Sequence, residues 1–329
     1  MKKIAVIGAG SWGTALAFLL GEKGYDVSLW VYEPELADEI AKSRVNSKFL
    51  PDAALPQNIT PSSSMRDVMK DAEVVLSVVP TQHTRRVFKE AVSFIPQGAH
   101  IVTASKGIEN GTLLTVSQII EEMTGRKASA LSGPSFAKEV IKKLPTAVTL
   151  ACESEETGRL LQKIFNTDHF RVYTNTDVLG VELGGALKNV MAIASGISDG
   201  LGLGSSARAA LITRGLEEII RLGIVMGADE KTFRGLSGMG DLVLTCTGVL
   251  SRNYTVGTRL GKGEKIKDII SSMAMVAEGV ATSESAYELS RKYRVEMPVV
   301  EQVYKTINQD KSPRDAVKEL MARSLKAEH

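Results

Sequence analysis

The chain opens on a short apolar, β-branched run, Ile4-Ala5-Val6-Ile7, which breaks at once on Gly8, Gly10 and Gly13. Apolar positions then recur at helical spacing (Ala15, Leu16, Leu19, Leu20), so the pattern predicts strand, tight turn, helix. Residues 26–32 (Asp-Val-Ser-Leu-Trp-Val-Tyr) predict a second strand ending at Glu33, and 35–43 predict a helix. Between Asn46 and Asn58, Pro51 and Pro56 break any period, and an irregular crossover is expected. The stretch Val74-Val75-Leu76-Ser77-Val78-Val79 is apolar on both alternating faces, the mark of a buried parallel strand, and Pro80 stops it. Further strands are predicted at 100–104, 128–132 and 147–151, the last closing the sheet. Strands alternating with helical patterns predict a mostly parallel, doubly wound α/β sheet.

The pattern changes after about Asp177, where helical periodicity takes over. Residues 181–195 are apolar nearly all round and predict a buried helix, interrupted by Lys188. Residues 206–226 predict a long amphipathic helix carrying Arg208 and Arg214. No strand precedes Gly200, Gly202 and Gly204, so they read as a helix–helix connection rather than a phosphate loop. Asp241 lies in a glycine-rich approach to an apolar segment, and Ser251-Arg252-Asn253 reads as a helix start with a capping serine. Residues 275–279 place Glu278 in a glycine-bounded loop, and a last helix opens at Ser312-Pro313. The expected division is an α/β domain over 1–180 and an all-α domain over 181–329.

Composition narrows the classes. Among 329 residues, 40 basic and 38 acidic side chains leave a net charge of +2, which argues against nucleic acid or a membrane surface as the main partner. Cys152 and Cys246 are far apart, and His83, His100, His169 and His329 show no ligand spacing, so neither a disulfide framework nor a metal site is expected. The apolar run after Met-Lys-Lys is too short for a signal peptide, and no apolar run is expected to reach membrane-spanning length. A cytoplasmic chain is the expectation.

The first motif carries the chemistry. A G-x-G-x-x-G turn between a strand and a helix is the context in which the motif binds a dinucleotide. Gly8 allows the turn, Gly10 lets backbone approach a pyrophosphate, and Gly13 lets the helix sit against the strand. Glu33, twenty residues past Gly13, is placed to accept hydrogen bonds from an adenosine ribose, the other reading being a solvated strand-end carboxylate. Glu33 would repel a 2′-phosphate, so NADH is at least as acceptable as NADPH, unless Lys42, Arg44 or Lys48 offsets it. Lys106 and the loop 133–137 follow predicted strands, where ligands of doubly wound sheets bind; a solvated lysine is the alternative there. An unpartnered buried ammonium at Lys188 would have a lowered pKa and could exchange a proton, whereas a snorkelling lysine would only pack its stem. Asp241 could accept a hydrogen bond from Lys188. Arg252 at a helix start suits a phosphate, although such a triplet is also an ordinary cap.

With these residues in place, the chain resembles the bacterial NAD(P)-dependent glycerol-3-phosphate dehydrogenases along nearly its whole length. The markers are GAGSWGTALA (8–17), SKGIE (105–109), GPSFAKEV (133–140), ELGGALKNVMAIASGISDGLG (182–202), GLSGMGDLVLTC (235–246) and SRN (251–253). The resemblance implies a Rossmann-type doubly wound N-terminal domain plus an all-α C-terminal domain. It also implies reversible hydride transfer between NAD(H) or NADP(H) and dihydroxyacetone phosphate, giving sn-glycerol 3-phosphate for glycerophospholipid synthesis. Carried over by position, Ser11, Trp12, Tyr32, Glu33, Ala137, Val276 and Glu278 would contact the cofactor together with the three glycines. Lys106 would lie between nicotinamide and substrate, and Lys188 would be the acid/base catalyst oriented by Asp241. Gly133, Ser135, Asn189 and Thr245 would line the substrate pocket. Ser251, Arg252 and Asn253 would hold the substrate phosphate, with Arg252 also reaching the cofactor. A cytoplasmic homodimer is the implied form. Two positions depart from the family pattern: members often carry a basic residue at or beside Tyr32, and an asparagine where this chain has Ser206. The readings that compete are a β-hydroxyacid or 6-phosphogluconate-type dehydrogenase, against which GAGSWG and SRN argue, and a non-catalytic nucleotide sensor, which would need neither Lys188 nor Asp241.

Overall fold

The computed structural model describes residues 2–325 and 327; His329 lies outside them. The chain divides into two compact units, one of residues 1–107 and 114–182, the other of 108–113 and 183–329.

The first unit runs β1 (Lys3–Ile7), α1 (Ser11–Glu22), β2 (Asp26–Trp30), α2 (Pro34–Ser43), β3 (Val45–Asn46), β4 (Leu50–Ala54), β5 (Ile59–Ser62), α3 (Met65–Met69), β6 (Val74–Ser77), α4 (Thr81–Ala91), β7 (His100–Thr103), α5 (Val116–Thr124), β8 (Ala128–Ser132), α6 (Ala137–Val140), β9 (Thr146–Ala151), α7 (Glu155–Phe165) and β10 (Phe170–Asn175). Eight strands form one sheet in the order β10-β9-β8-β7-β6-β1-β2-β5. All neighbours are parallel except β8 and β9. The order reverses between β1 and β6, the crevice where such sheets bind their ligands. Ile4 and Val6 pack into one apolar cluster with Leu16, Leu20 and Phe165. Ala5 and Ile7 pack into another with Phe88 and Ile120. The strand is buried on both faces, which is why its sequence is continuously apolar.

Three expectations are corrected here. The strand of 147–151 does not close the sheet, because β10 pairs beyond it, parallel to β9. Its alternation of buried Phe170 and Val172 with exposed Arg171 and Tyr173 is that of an edge strand with one covered face. The stretch 46–58 is no irregular crossover: β3 and β4 pair as an antiparallel ribbon, and β5 follows as the opposite sheet edge. Pro61 within β5 hid it, since a proline is tolerated in a strand at an edge, where one side of the backbone needs no ladder bond. The second strand stops at Trp30, two residues early, which leaves Val31 and Tyr32 in the turn before α2.

The helices that follow are α8 (Val178–Gly200), α9 (Gly204–Val225), α10 (Glu230–Phe233), α11 (Asp241–Thr247), α12 (Arg252–Gly261), α13 (Ile266–Ser271), α14 (Glu278–Tyr293), α15 (Pro298–Asn308) and α16 (Pro313–Met321). By length and composition α8 could cross a membrane, contrary to expectation, but it is a core helix. Leu183, Leu187, Val190, Met191 and Ile193 in it are fully buried. Helices α8 and α12 touch backbone to backbone. A Cβ on Gly257 would stand 2.0 Å from the Ile193 oxygen, and one on Gly196 2.1 Å from the Tyr254 oxygen.

Candidate functional site

The predicted residues fall into two groups, one in each unit. In the first unit, Gly8 sits at φ +109°, and a Cβ there would stand 2.9 Å from the Val78 carbonyl oxygen. A Cβ on Gly13 would stand 1.9 Å from the Gly8 oxygen, so α1 can start here only on glycine. The first backbone bond of that helix is Thr14 N–H to the Gly10 oxygen, at 2.9 Å. Amides ahead of it point out of the helix N-terminus, the arrangement that receives phosphate. Around Gly10 a Cβ would meet nothing within 4 Å, and the Trp12 indole Nε1 is buried without a partner among the described residues. Open backbone, helix start and spare donor fit a dinucleotide pyrophosphate.

The loop is braced by residues the sequence did not single out. Buried Asn46 donates through Nδ2 to the Ala9 oxygen and to Thr14 Oγ1, both at 2.8 Å, and its Oδ1 accepts from the Phe49 amide at 3.1 Å. Ser11 Oγ donates to the Phe49 oxygen at 2.7 Å. The ribbon β3–β4 thereby fixes the turn. A lone asparagine in a proline-broken stretch gives no periodic signal, which is why it was missed.

At the end of β2, Glu33 accepts a 2.8 Å ion pair from Lys48. Arg44 is spent elsewhere, donating to backbone oxygens of Leu55, Pro56 and Ile59. Tyr32 is 63% exposed. After β7, Lys106 Nζ donates to the Gly133 oxygen at 2.9 Å, and Ser135 Oγ donates to the same oxygen at 3.0 Å. Ser105 Oγ donates to the Val79 oxygen at 2.6 Å and ties the ends of β6 and β7 together. Ala137 is the first residue of α6.

The second unit holds the other group. Lys188 meets Asp241, the partner expected of it. Its Nζ donates to Asp241 Oδ1 at 2.5 Å and to Thr245 Oγ1 at 2.8 Å. Lys188 is 6% exposed and Asp241 1%, so the carboxylate supplies the counter-charge a buried ammonium needs. The geometry follows from spacing. Gly184 and Lys188 lie one turn apart on one face of α8. A Cβ on Gly184 would stand 2.7 Å from the Ser237 oxygen, so the π-turn Leu236–Gly240 can rest on α8 there. Asp241, first residue of α11, then meets Lys188. Cys246, next to Thr245, is fully buried, and burial pushes its thiol up to about 12.

Next along α8, Asn189 Oδ1 accepts from Asn253 Nδ2 at 2.8 Å, and Asn253 Oδ1 accepts from the Gly279 amide at 2.9 Å. The two asparagines join α8 to the starts of α12 and α14. Ser251 caps α12 by accepting from the Tyr254 amide at 3.2 Å. Arg252 Nη1 donates to the Val276 oxygen at 2.6 Å. Glu278 is not in a loop but is the first residue of α14, where a carboxylate suits the helix dipole.

Known proteins match nearly the whole length of the chain. The description "NAD-dependent glycerol-3-phosphate dehydrogenase N-terminus" fits residues 3–158, and its C-terminus counterpart fits 177–318. A glycerol-3-phosphate dehydrogenase [NAD(P)+] of Citrifermentans bemidjiense is 57% identical over 331 aligned positions, covering 99% of each chain. One from Geobacter sp. strain M21 is 56% identical with the same coverage. A crystal structure of glycerol-3-phosphate dehydrogenase from Coxiella burnetii superposes with a TM-score of 0.95 at 40% identity, covering 98% of this chain and 99% of that one. The chain therefore belongs to the NAD-dependent glycerol-3-phosphate dehydrogenase family.

Proposed function

We propose that this chain interconverts dihydroxyacetone phosphate and sn-glycerol 3-phosphate, using NAD(H) or NADP(H). The observation that carries the reading is the buried Lys188–Asp241–Thr245 cluster, one residue along α8 from the Asn189–Asn253 link to the start of α12. When bound, a reduced nicotinamide would supply the hydride that the ketone carbon takes up. As that carbon is reduced, charge builds on the carbonyl oxygen, and Lys188 donates a proton there. Asp241 and Thr245 hold the ammonium in place, which limits the reorganisation needed at reaction. Lys106, Gly133 and Ser135 are assigned to the substrate by their positions in the family's motifs. Ser251, Arg252 and Asn253 take the phosphate through the N-terminus of α12 and the guanidinium. Grip on this non-reacting group positions the ketone. In the reverse direction Lys188 takes the hydroxyl proton. Gly8, Gly10, Ser11, Trp12 and Gly13 hold the pyrophosphate, Tyr32 and Glu33 face the adenosine ribose, and Ala137, Val276 and Glu278 complete the cofactor contacts.

On this reading the first unit, essentially 1–180, is the dinucleotide-binding domain, and the second, 181–329, is the substrate and catalytic domain. A homodimeric, cytoplasmic enzyme feeding glycerophospholipid synthesis belongs to the same proposal. The test is loss of near-ultraviolet absorbance of NADH, and separately of NADPH, on adding dihydroxyacetone phosphate, with a 3-hydroxy acid and its oxidised cofactor as control. Rapid loss with the phosphate substrate alone is expected; turnover only in the control would replace the reading by the hydroxy-acid one. Light scattering on the eluted protein measures the dimer.

A further inference from the structure

We infer that Arg86 is a specificity-determining residue for the cofactor: with Lys48, it admits the 2′-phosphate of NADPH at the end of β2. The inference deepens the dehydrogenase reading and rests on it for the cofactor site. In a doubly wound sheet the adenosine ribose lies beside the residues that follow the second strand. Those residues are Val31, Tyr32 and Glu33, which include no cation and one carboxylate. Taken alone, they should reject a 2′-phosphate.

Two cations reach this place from elsewhere in the same unit. Lys48, from the turn between β3 and β4, pairs with Glu33, their side chains 48% and 37% exposed. An ion pair this open to water is weak, so a phosphate dianion readily takes over the ammonium. Arg86, on α4, holds its guanidinium carbon 5.7 Å from the centroid of the Tyr32 ring. Trp30 meets that ring edge-on at 6.0 Å and fixes its orientation, and Trp30 is itself held by a 3.1 Å bond from Nε1 to the Ser63 oxygen. A guanidinium held over an aromatic face keeps its N–H donors, which can grip a phosphate through two parallel bonds. The neighbouring arginine differs. Arg85 is committed to Glu122, through Nη1 at 2.9 Å and Nη2 at 3.1 Å. Arg86 therefore brings to Tyr32 the positive charge that the strand end lacks, from more than fifty positions along the chain.

The experiment uses the full chain and two probes that differ by one group, adenosine 2′,5′-bisphosphate and adenosine 5′-monophosphate, titrated calorimetrically. Arg86→Ala is an exposed change and leaves the fold intact. It should weaken the bisphosphate roughly 10- to 100-fold, as expected for losing hydrogen bonds to a charged group, and the monophosphate less than about threefold. Lys48→Ala should also weaken the bisphosphate selectively, since it both removes a cation and leaves Glu33 uncompensated. In turnover, Arg86→Ala should lower kcat/KM for NADPH by the same factor and leave that for NADH nearly unchanged. Equal weakening of both probes, or of neither, in Arg86→Ala overturns the assignment while the dehydrogenase reading stands. Failure of the unaltered chain to bind either probe overturns both.

Discussion

Lys188→Ala tests the proposed catalytic role of the Lys188–Asp241–Thr245 cluster most sharply, because two effects of known size should separate. The ammonium is 6% exposed and bonds Asp241 at 2.5 Å, while Asp241 is 1% exposed. Removing one partner of a buried pair leaves an uncompensated charge and costs about 3–5 kcal/mol of stability. Thr245 softens this only slightly, since its hydroxyl donates chiefly to the Asp241 backbone oxygen at 2.6 Å and lies 3.3 Å from Oδ1. Loss of a general acid lowers turnover about 10²- to 10⁴-fold. The double variant Lys188→Ala, Asp241→Asn removes the stranded charge. It should regain most of the lost stability and none of the lost activity. The assays are denaturant unfolding, followed by far-ultraviolet circular dichroism, and oxidation of NADH by dihydroxyacetone phosphate, per folded protein. A folded Lys188→Ala protein retaining more than about a tenth of the parental kcat would refute the assignment of Lys188 as proton donor. Recovery of activity in the double variant would do the same, because it would show that the single change acted through stability alone.

Other consequences are as direct. Arg252→Ala should raise KM for dihydroxyacetone phosphate about 10- to 100-fold, as expected for losing a charge-assisted phosphate contact, with a smaller effect on kcat; an unchanged saturation curve would count against the phosphate role. Gly13→Ala should abolish nucleotide binding or folding, since its Cβ would stand 1.9 Å from the Gly8 oxygen; native affinity for NADH in calorimetry would contradict the close approach of α1 to the turn. Glu218 is buried against the first turn of α15, accepting from the Val299 amide at 2.7 Å and the Val300 amide at 3.2 Å, and burial lifts its carboxyl to about 7. Its folded pKa lies above the unfolded value of 4.5, so its contribution is complete below about pH 4.5 and is lost as pH rises through 7. The loss is about 3 kcal/mol, and Glu218→Gln should flatten the change in unfolding midpoint between pH 5 and pH 8; equal slopes in the two proteins would show that Glu218 is not the cause.

Much of the molecule was legible in the residues alone. Where burial on both faces demands unbroken apolar character, as in β1 and β6, strands announce themselves, and a glycine turn between strand and helix has a single physical use. Lys188 was conspicuous because an ammonium among buried residues requires a reason, and Ser251 because a capping serine reads locally. The edge strands β5 and β10 did not announce themselves, since an edge needs only one ladder and one covered face, so Pro61 and Arg171 are tolerated there. The Lys188–Asp241 pair needed the tertiary fold. Lys188 and Asp241 are 53 positions apart, and only the packing of the turn at Ser237 against Gly184 makes them partners. The same holds for Asn46 beneath the glycine turn and Arg86 over Tyr32. Local pattern determines what a segment can be, because it depends on neighbours three or four residues away. Which charges meet depends on how segments pack, and no sequence period records that.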